Sequence, residues 1–374
     1  MDEPFRRIVR IPSHRQLNRA DLRGKRILVR VDFNVPIVDG KSADLRRVDA
    51  MMPTIKKIIE KDAKEINIIG HLGRPDGKKD RNLSTIQIAK VICSKIPYKC
   101  KLTEGKSDSQ SPALSQFYKI GDKIRVFENL RFDPREEKNS EDFAKELSGL
   151  GDVFVQDAFA NIHRNHASML AIQDLLPTYA GLLVEKETNI LFKILSHPDR
   201  PFVAIIGGAK IEDKLPAIEA LTKTADAVLI GGKTANEWMV QDHPKNENVY
   251  LPVDGLNKLG SIVPINEATL KNGIFDIGPQ TVMLFKSILS SAKTIFWNGN
   301  LGMTESKRYI YGTHEVARFI AKLQAEKVIS GGNTAEVIDE MKLSDKFDFI
   351  STGGGATSDF IAGKKLPVLE KLLT

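Results

Sequence analysis

The chain has 374 residues, 41% of them hydrophobic, and 55 lysines and arginines against 48 aspartates and glutamates, a net charge of +7. That size supports a large core and favours two or more domains. No apolar run reaches the roughly 18 residues of a membrane span, and the basic start MDEPFRRIVRIPSHRQ lacks the apolar stretch of a secretory signal, so a cytoplasmic protein is expected.

Cys93 and Cys100 give neither a disulfide framework nor a metal spacing and are expected to be incidental thiols in a reducing compartment. The charge is uneven: +8 over residues 1–180 and −1 over residues 181–374. A basic half suggests an anionic partner. Nucleic acid is the rival, but no nucleic-acid fold signature accompanies the charge, and only 7% of residues are aromatic.

In chain order, a polar lead-in precedes a strand at Ile27–Val31 that ends in Asp32, Phe33, Asn34 and Pro36. Asp-x-Asn past a strand end suits a ligand site and equally an Asx turn. Arg46 and Arg47 open a helical pattern through Val48, Met51, Met52, Ile55, Ile58 and Ile59. A strand at Ile66–Gly70 runs into His71-Leu72-Gly73-Arg74-Pro75, a rigid turn with two cationic or hydrogen-bonding groups. A helix is expected over about Ser84–Ile96, and loop or weak helix over the Ser- and Lys-rich residues 101–118. The strand Lys123–Phe127 leads to Glu128-Asn-Leu-Arg131-Phe132. Residues 133–142 are charged and expected to be exposed. The strand Asp152–Val155 precedes a segment with His163, Arg164 and His166. Two histidines at i, i+3 on a helix could bind zinc. No third ligand is near, which favours phosphate or carboxylate binding, and a buried structural role stays open for either. Four strand ends thus present Arg47, His71, Arg74, Arg131, His163 and Arg164. Arginine forks match phosphate and carboxylate, so these describe a pocket for a small, strongly anionic molecule.

Ala180–Leu195 reads as one amphipathic helix connecting two halves. The second half repeats one unit, an apolar strand running into glycines: FVAIIGGAKIEDK at 202–214, AVLIGGKT at 227–234, KVISGGNTA at 327–335, FISTGGGA at 349–356 and, more loosely, IFWNGNLG at 295–302. Such units describe an open parallel sheet with ligands bound beyond the carboxyl ends of its strands. Lys210 and Lys214, four apart beside a glycine turn and a helix start, suit a polyphosphate. The fold expected is α/β, with two Rossmann-like doubly wound parallel-sheet domains. The divisions expected are 1–180, a connecting helix at 181–198, 199–361, and a tail at 362–374 that packs back. The Walker-like match at 227–234 lacks its first glycine, and no G-x-G-x-x-G is present, which argues against a P-loop enzyme and a dinucleotide dehydrogenase. Phosphoryl transfer between a nucleotide and an anionic acceptor fits, since it needs positioning and charge neutralisation more than a nucleophile.

The chain resembles the phosphoglycerate kinase family from about Leu17 to Leu373. VRVDFNVP at 29–36, HLGRP at 71–75, ENLRF at 128–132, HRNHAS at 163–168, GGAKIEDK at 207–214, DIGP at 276–279 and STGGGA at 351–356 carry the resemblance, in the family's order. It implies reversible phosphoryl transfer between 1,3-bisphosphoglycerate and ADP, giving 3-phosphoglycerate and ATP. It further implies Mg²⁺ carried by the nucleotide, a monomer of two hinged domains, and neither a nucleic-acid nor a membrane partner. The substrate residues it implies are Asp32, Phe33, Asn34, His71, Leu72, Gly73, Arg74, Arg131, His163 and Arg164. Arg47, Lys210 and Lys214 are implied as catalytic. On the nucleotide it implies Gly208, Ala209, Lys210, Lys214, Asn298, Glu305, Gly331, Gly332, Asn333, Thr334, Gly353 and Gly354.

Departures from the family pattern cluster on the nucleotide side. Asn333 stands where an aspartate is usual and is a doubtful Mg²⁺ ligand. Asn300 replaces a proline, Met303-Thr304 a more apolar pair, and GGKTANEW at 231–238 a Gly-Met-Ala-rich segment. Elsewhere Gly70 replaces a serine. A non-catalytic relative that keeps the anion pocket as a binding protein is the alternative. Retention of Arg47, Lys210 and Lys214 argues against it.

Overall fold

The structure is a computed structural model that describes residues 10–373 apart from 36, 39–40, 43–44, 98–99, 242 and 244–245. Pro36, placed at the end of the first strand from sequence, lies outside the described residues. The chain forms two compact units: one runs to Asn189 and takes in the chain again from Lys365, and the other is Ile190–Lys364.

The first unit carries β1 (Arg26–Arg30), β2 (Ile37–Val38), β3 (Lys41–Ser42), α1 (Arg46–Glu60), β4 (Glu65–Ile69), α2 (Ile86–Lys95), β5 (Leu102–Lys106), β6 (Gln116–Ile120), β7 (Ile124–Phe127), α3 (Glu141–Ser148), β8 (Val153–Gln156) and β9 (Thr178–Ala180). Apart from the small β2–β3 pair, the strands form one seven-stranded sheet in the order β5-β6-β7-β4-β1-β8-β9. From β7 to β9 neighbouring strands are parallel. The apolar run of β1 is buried between layers, and α1 lays Val48, Met51, Met52, Ile55 and Ile58 against it, the face its spacing marks out. β1, β4 and β7 step outward on one side while β8 and β9 step the other way, so the order reverses between β1 and β8. Such a reversal opens a crevice at the carboxyl ends.

Three expectations are corrected here. Residues 101–118 contain β5 and β6, an antiparallel edge on the parallel sheet. The polar composition of β5 is that of an edge strand, which stays soluble by exposing charged and polar side chains, and β6 lies between it and β7. Residues 133–142 are not simply an exposed charged loop, because Asp133 and Glu136 are buried. The two cysteines are not free: Cys93 and Cys100 are joined in a disulfide, the end of α2 and the approach to β5 bringing their Cα atoms to 5.6 Å, within bridging range.

α4 (Leu182–Ser196) starts in the first unit and ends in the second. The second unit continues with β10 (Phe202–Ile206), α5 (Leu215–Thr224), β11 (Ala227–Ile230), α6 (Gly232–Val240), β12 (Val249–Tyr250), β13 (Asp254–Asn257), β14 (Ile262–Pro264), α7 (Glu267–Lys271), β15 (Ile274–Ile277), α8 (Pro279–Leu289), β16 (Thr294–Asn298), α9 (Tyr311–Ile320), β17 (Glu326–Ser330), α10 (Gly332–Glu340), β18 (Phe349–Ser351) and α11 (Gly354–Ile361). Its six-stranded sheet is parallel throughout, in the order β12-β11-β10-β16-β17-β18. The order reverses between β10 and β16. A small antiparallel sheet, β14-β13-β15, has no counterpart in the sequence reading. The last helix, α12 (Pro367–Leu373), belongs to the first unit. Its Val368, Leu369 and Leu372 are buried, and Gln173 Nε2 donates to Val368 O at 3.1 Å. Among the described residues no helix is long and apolar enough to cross a membrane.

Asp157, at the end of β8, secures the start of α4. Its Oδ1 accepts Leu183 N at 2.9 Å, while Thr54 Oγ1 of α1 accepts Leu182 N at 2.9 Å. These are helix N-terminal donors that would otherwise be unpaired. Burial raises the Asp157 carboxyl from 3.8 to about 7, against the hydrogen bonds that favour its charge. A carboxyl raised on folding favours the fold fully below its unfolded value and loses that contribution as pH rises through the folded one. Asp157→Asn keeps the acceptor and removes the titration. Urea unfolding at about pH 4 and pH 7 should therefore show a smaller loss of stability with rising pH than in the wild type. A second expectation concerns Gly70, where a Cβ would lie 2.5 Å from the buried Phe33 ring. Gly70→Val should cost about 1–3 kcal/mol of stability by overpacking, read as a lowered Tm.

Candidate functional site

In the first unit the carboxyl ends of β1, β4, β7 and β8 and the start of α1 converge their polar residues. Past β1, Asp32 is buried and its Oδ1 accepts Asn34 N at 3.1 Å, which is the Asx turn. Asp32 Oδ2 also accepts Arg47 Nη1 from the first turn of α1. Asn34 Oδ1 accepts Gly73 N at 2.8 Å, and Arg131 Nη1 donates to Gly73 O at 2.7 Å, which pins the turn after β4 from both sides. Gly73 sits at φ +57°, a conformation that suits glycine. Phe33 and Leu72 are wholly buried in the core, so their side chains form a floor and present no group to a ligand.

Behind this surface lies a charged layer that sequence reasoning missed. Arg30, the last residue of β1, is completely buried: its Nε donates to Ser168 Oγ at 3.0 Å, its Nη2 lies 3.0 Å from His71 Nδ1, and its Nη1 donates to Val31 O. Glu136 is equally buried and accepts Ser168 N at 3.0 Å and Ser168 Oγ at 2.6 Å. The signal available was the charged residue at the end of an apolar strand, since buried arginine is rare without partners.

Burial lowers Arg30 to about 10, even with Glu136 and Asp32 nearby. Burial also lowers Arg131 and Arg164, and neighbouring cations add to this: Arg164 and Arg74 at Arg131, Arg74 and Arg47 at Arg164. His71 falls well below its ordinary value through burial and three arginines, and His166 falls to about 3, so both are neutral at pH 7. His163 sits in a turn and His166 in irregular chain, not on a helix, which removes the i, i+3 zinc geometry. No group of three metal-ligating side chains occurs among the described residues. Five arginines thus face Asp32, Glu136 and Glu137, a surplus of positive charge that a multiply charged anion would neutralise.

In the second unit the crevice at the β10–β16 reversal opens into a cavity of about 860 Å³. Gly208, Ala209, Lys214, Asn298, Glu305, Gly331, Gly332, Asn333, Thr334 and Gly354 all line it. Lys210 is exposed on the adjoining loop and Gly353 is buried, and neither is among the lining residues. The glycines after β10 let two chain segments close on each other. Gly207 N donates to Asn298 O and Gly208 N to Asn300 O, each at 2.9 Å, and a Cβ on Gly207 would lie 2.2 Å from Asn300 O. Lys214 Nζ donates to Asn298 Oδ1 at 2.6 Å and lies 3.4 Å from Ser358 Oγ, with its pKa lowered by burial. Ser358, on α11, is a further residue the sequence reading missed. Gly331 at φ +102° turns the chain into α10, and Thr334 Oγ1 accepts Gly299 N at 3.1 Å. The N–H groups at the starts of α10 and α11 suit phosphate.

The phosphoglycerate kinase family model matches residues 17–243 and 233–364. The chain belongs to the phosphoglycerate kinase family. A phosphoglycerate kinase of Coprothermobacter proteolyticus is 36% identical over 96% of this chain and 98% of its own length. One of Pelotomaculum thermopropionicum is 37% identical over 94% and 97%. The solved phosphoglycerate kinase of Coxiella burnetii superposes with a TM-score of 0.79 at 30% identity, covering 96% of this chain and 98% of that one. The activity is therefore that of a phosphoglycerate kinase, reversible phosphoryl transfer between 1,3-bisphosphoglycerate and ADP.

Because Arg164 is half buried among other arginines, Arg164→Met should relieve repulsion in the free protein and remove an anion contact at once. The KM for 3-phosphoglycerate should rise by at least about tenfold while Tm stays level or rises, the opposite of a residue kept for stability.

Proposed function

We propose that the first unit holds 3-phosphoglycerate and the second the nucleotide, with the family's roles falling on this chain's residues. Asp32 and Asn34 take the hydroxyl and carboxylate region. His71, Arg74, Arg131 and Arg164 surround the phosphate and carboxylate, and His163 and His166 support them. His71 and His166 do so as neutral rings, because their depressed pKa values leave no proton to spare at pH 7. Arg47 and Lys210 neutralise the transferring phosphoryl group. Lys214, Asn298, Thr334 and the starts of α10 and α11 hold the nucleotide phosphates, and Glu305 holds the ribose. The single observation that carries this reading is the surplus of buried guanidinium charge around Arg131 and Arg164. It has no purpose as a stability device and answers the charge of a phosphorylated acid. Lys214→Ala tests the nucleotide half: kcat should fall and the KM for ATP rise, each by about tenfold or more, with the KM for 3-phosphoglycerate nearly unchanged.

Mg²⁺ fits as an ion that arrives on the nucleotide phosphates and neutralises part of their charge. At the start of α10 this chain offers it the neutral carboxamide oxygen of Asn333, which is exposed and lines the cavity. Mg²⁺ takes carboxylate oxygen more readily. Asn333→Asp should therefore lower the Mg²⁺ concentration giving half-maximal rate, and an unchanged Mg²⁺ titration would sink this part of the reading. The protein is further read as a monomer, the state the family resemblance implies, working in the cytoplasm as a glycolytic enzyme. Sedimentation would test the first point.

A further inference from the structure

The loop between β10 and α5 carries both lysines assigned to the phosphates, yet it contains no regular structure from Gly207 to Lys210. α6 holds it. Thr234, in the first turn of α6, donates to Gly208 O through its backbone N at 3.1 Å and through Oγ1 at 3.2 Å. One turn further, Glu237 Oε2 accepts Ile211 N at 2.8 Å. Glu237 Oε1 lies 3.2 Å from Lys233 Nζ. Ile211 is buried, so its N–H has no water to turn to if this acceptor is lost. The two contacts bracket Lys210, one on each side in sequence. Beyond Ile211 the chain tightens into the turn that starts α5, with Lys214 N and Leu215 N both donating to Ile211 O. The position of Ile211 therefore sets where Lys214 begins its reach toward Asn298.

Thr234 and Glu237 lie in the segment GGKTANEW, and Lys233 and Glu237 line the same cavity as Lys214. We propose that Glu237 is a positioning residue for the lysine loop, its carboxylate fixing Ile211 so that Lys210 and Lys214 are set before the nucleotide binds, with Thr234 as a second, weaker clamp. A loop fixed in advance spends no binding free energy on ordering its lysines. The inference rests on the reading of Lys210 and Lys214 as phosphate-binding residues, which Lys214→Ala tests separately.

The experiment compares Glu237→Ala, Glu237→Gln and Thr234→Val in steady-state kinetics and thermal melting of the full chain. Glu237→Ala should raise the KM for ATP and lower kcat, with kcat/KM for ATP down by about tenfold or more, the weight of one charge-assisted hydrogen bond, while the KM for 3-phosphoglycerate stays within about twofold. Glu237→Gln keeps an acceptor for Ile211 N and should recover most of the loss. Thr234→Val should show a smaller effect in the same direction. The proposal is overturned if Glu237→Ala lowers Tm with both KM values and kcat unmoved, if it shifts both substrates equally, or if Glu237→Gln is as impaired as Glu237→Ala. Should Lys214→Ala prove fully active, the lysine assignment fails, whatever Glu237 does.

Discussion

The first unit is organised around a concentration of guanidinium charge that its own carboxylates do not balance. Arg30 lies fully buried at the carboxyl end of β1, with Glu136 behind it and His71 beside it. Burial raises the Glu136 carboxyl above its ordinary value, and Arg30 and Ser168 oppose that shift. This inner layer fixes where the outer arginines stand. Arg131 is tied to Gly73 and Glu137, and Arg47 to Asp32, so their forks are oriented before any ligand arrives. Repulsion among partly buried cations is weakly screened, and a site built this way trades stability for affinity.

The second unit solves a different problem with less charge. Its parallel strands end in glycines, and at the β10–β16 reversal the backbone comes close enough for Gly207 and Gly208 to bond across to the chain after β16. That close approach leaves helix starts and a few side chains to line the cavity. Lys214, held between Asn298 and Ser358, supplies a cation that burial makes both precious and responsive. Asn333, at the start of α10, is neutral, so the positive charge on this side of the cavity comes from lysine and helix dipole.

Much of this was legible in the sequence for a physical reason: a buried parallel strand must be apolar throughout and must end in a turn, so β10, β11, β17 and β18 appear as apolar runs before glycine. The converging residues Asp32, Asn34, His71, Arg131 and Arg164 stand just past such runs. What was not legible depends on contacts distant in sequence. β5 looks like loop because an edge strand shows its polar side chains to water, and in β6 beside it only alternate residues such as Tyr118 and Ile120 are buried. Glu136 sits among charged neighbours that are exposed, and only the fold shows that Ser168 and Arg30 enclose it. Arg30 passed as part of a strand. Glu237 reads as one more solvated helix charge until Ile211, 26 residues earlier, is found bonded to it.

The most direct test of the central claim is calorimetric titration of 3-phosphoglycerate into the wild-type protein, without nucleotide, at low and at high salt. The arginine surplus predicts a single site whose affinity weakens as salt rises, because counter-ions compete for the same charge, with a parallel rise in Tm on saturation. Binding insensitive to salt, or none to folded protein, would contradict the view that this unit is built around unbalanced positive charge.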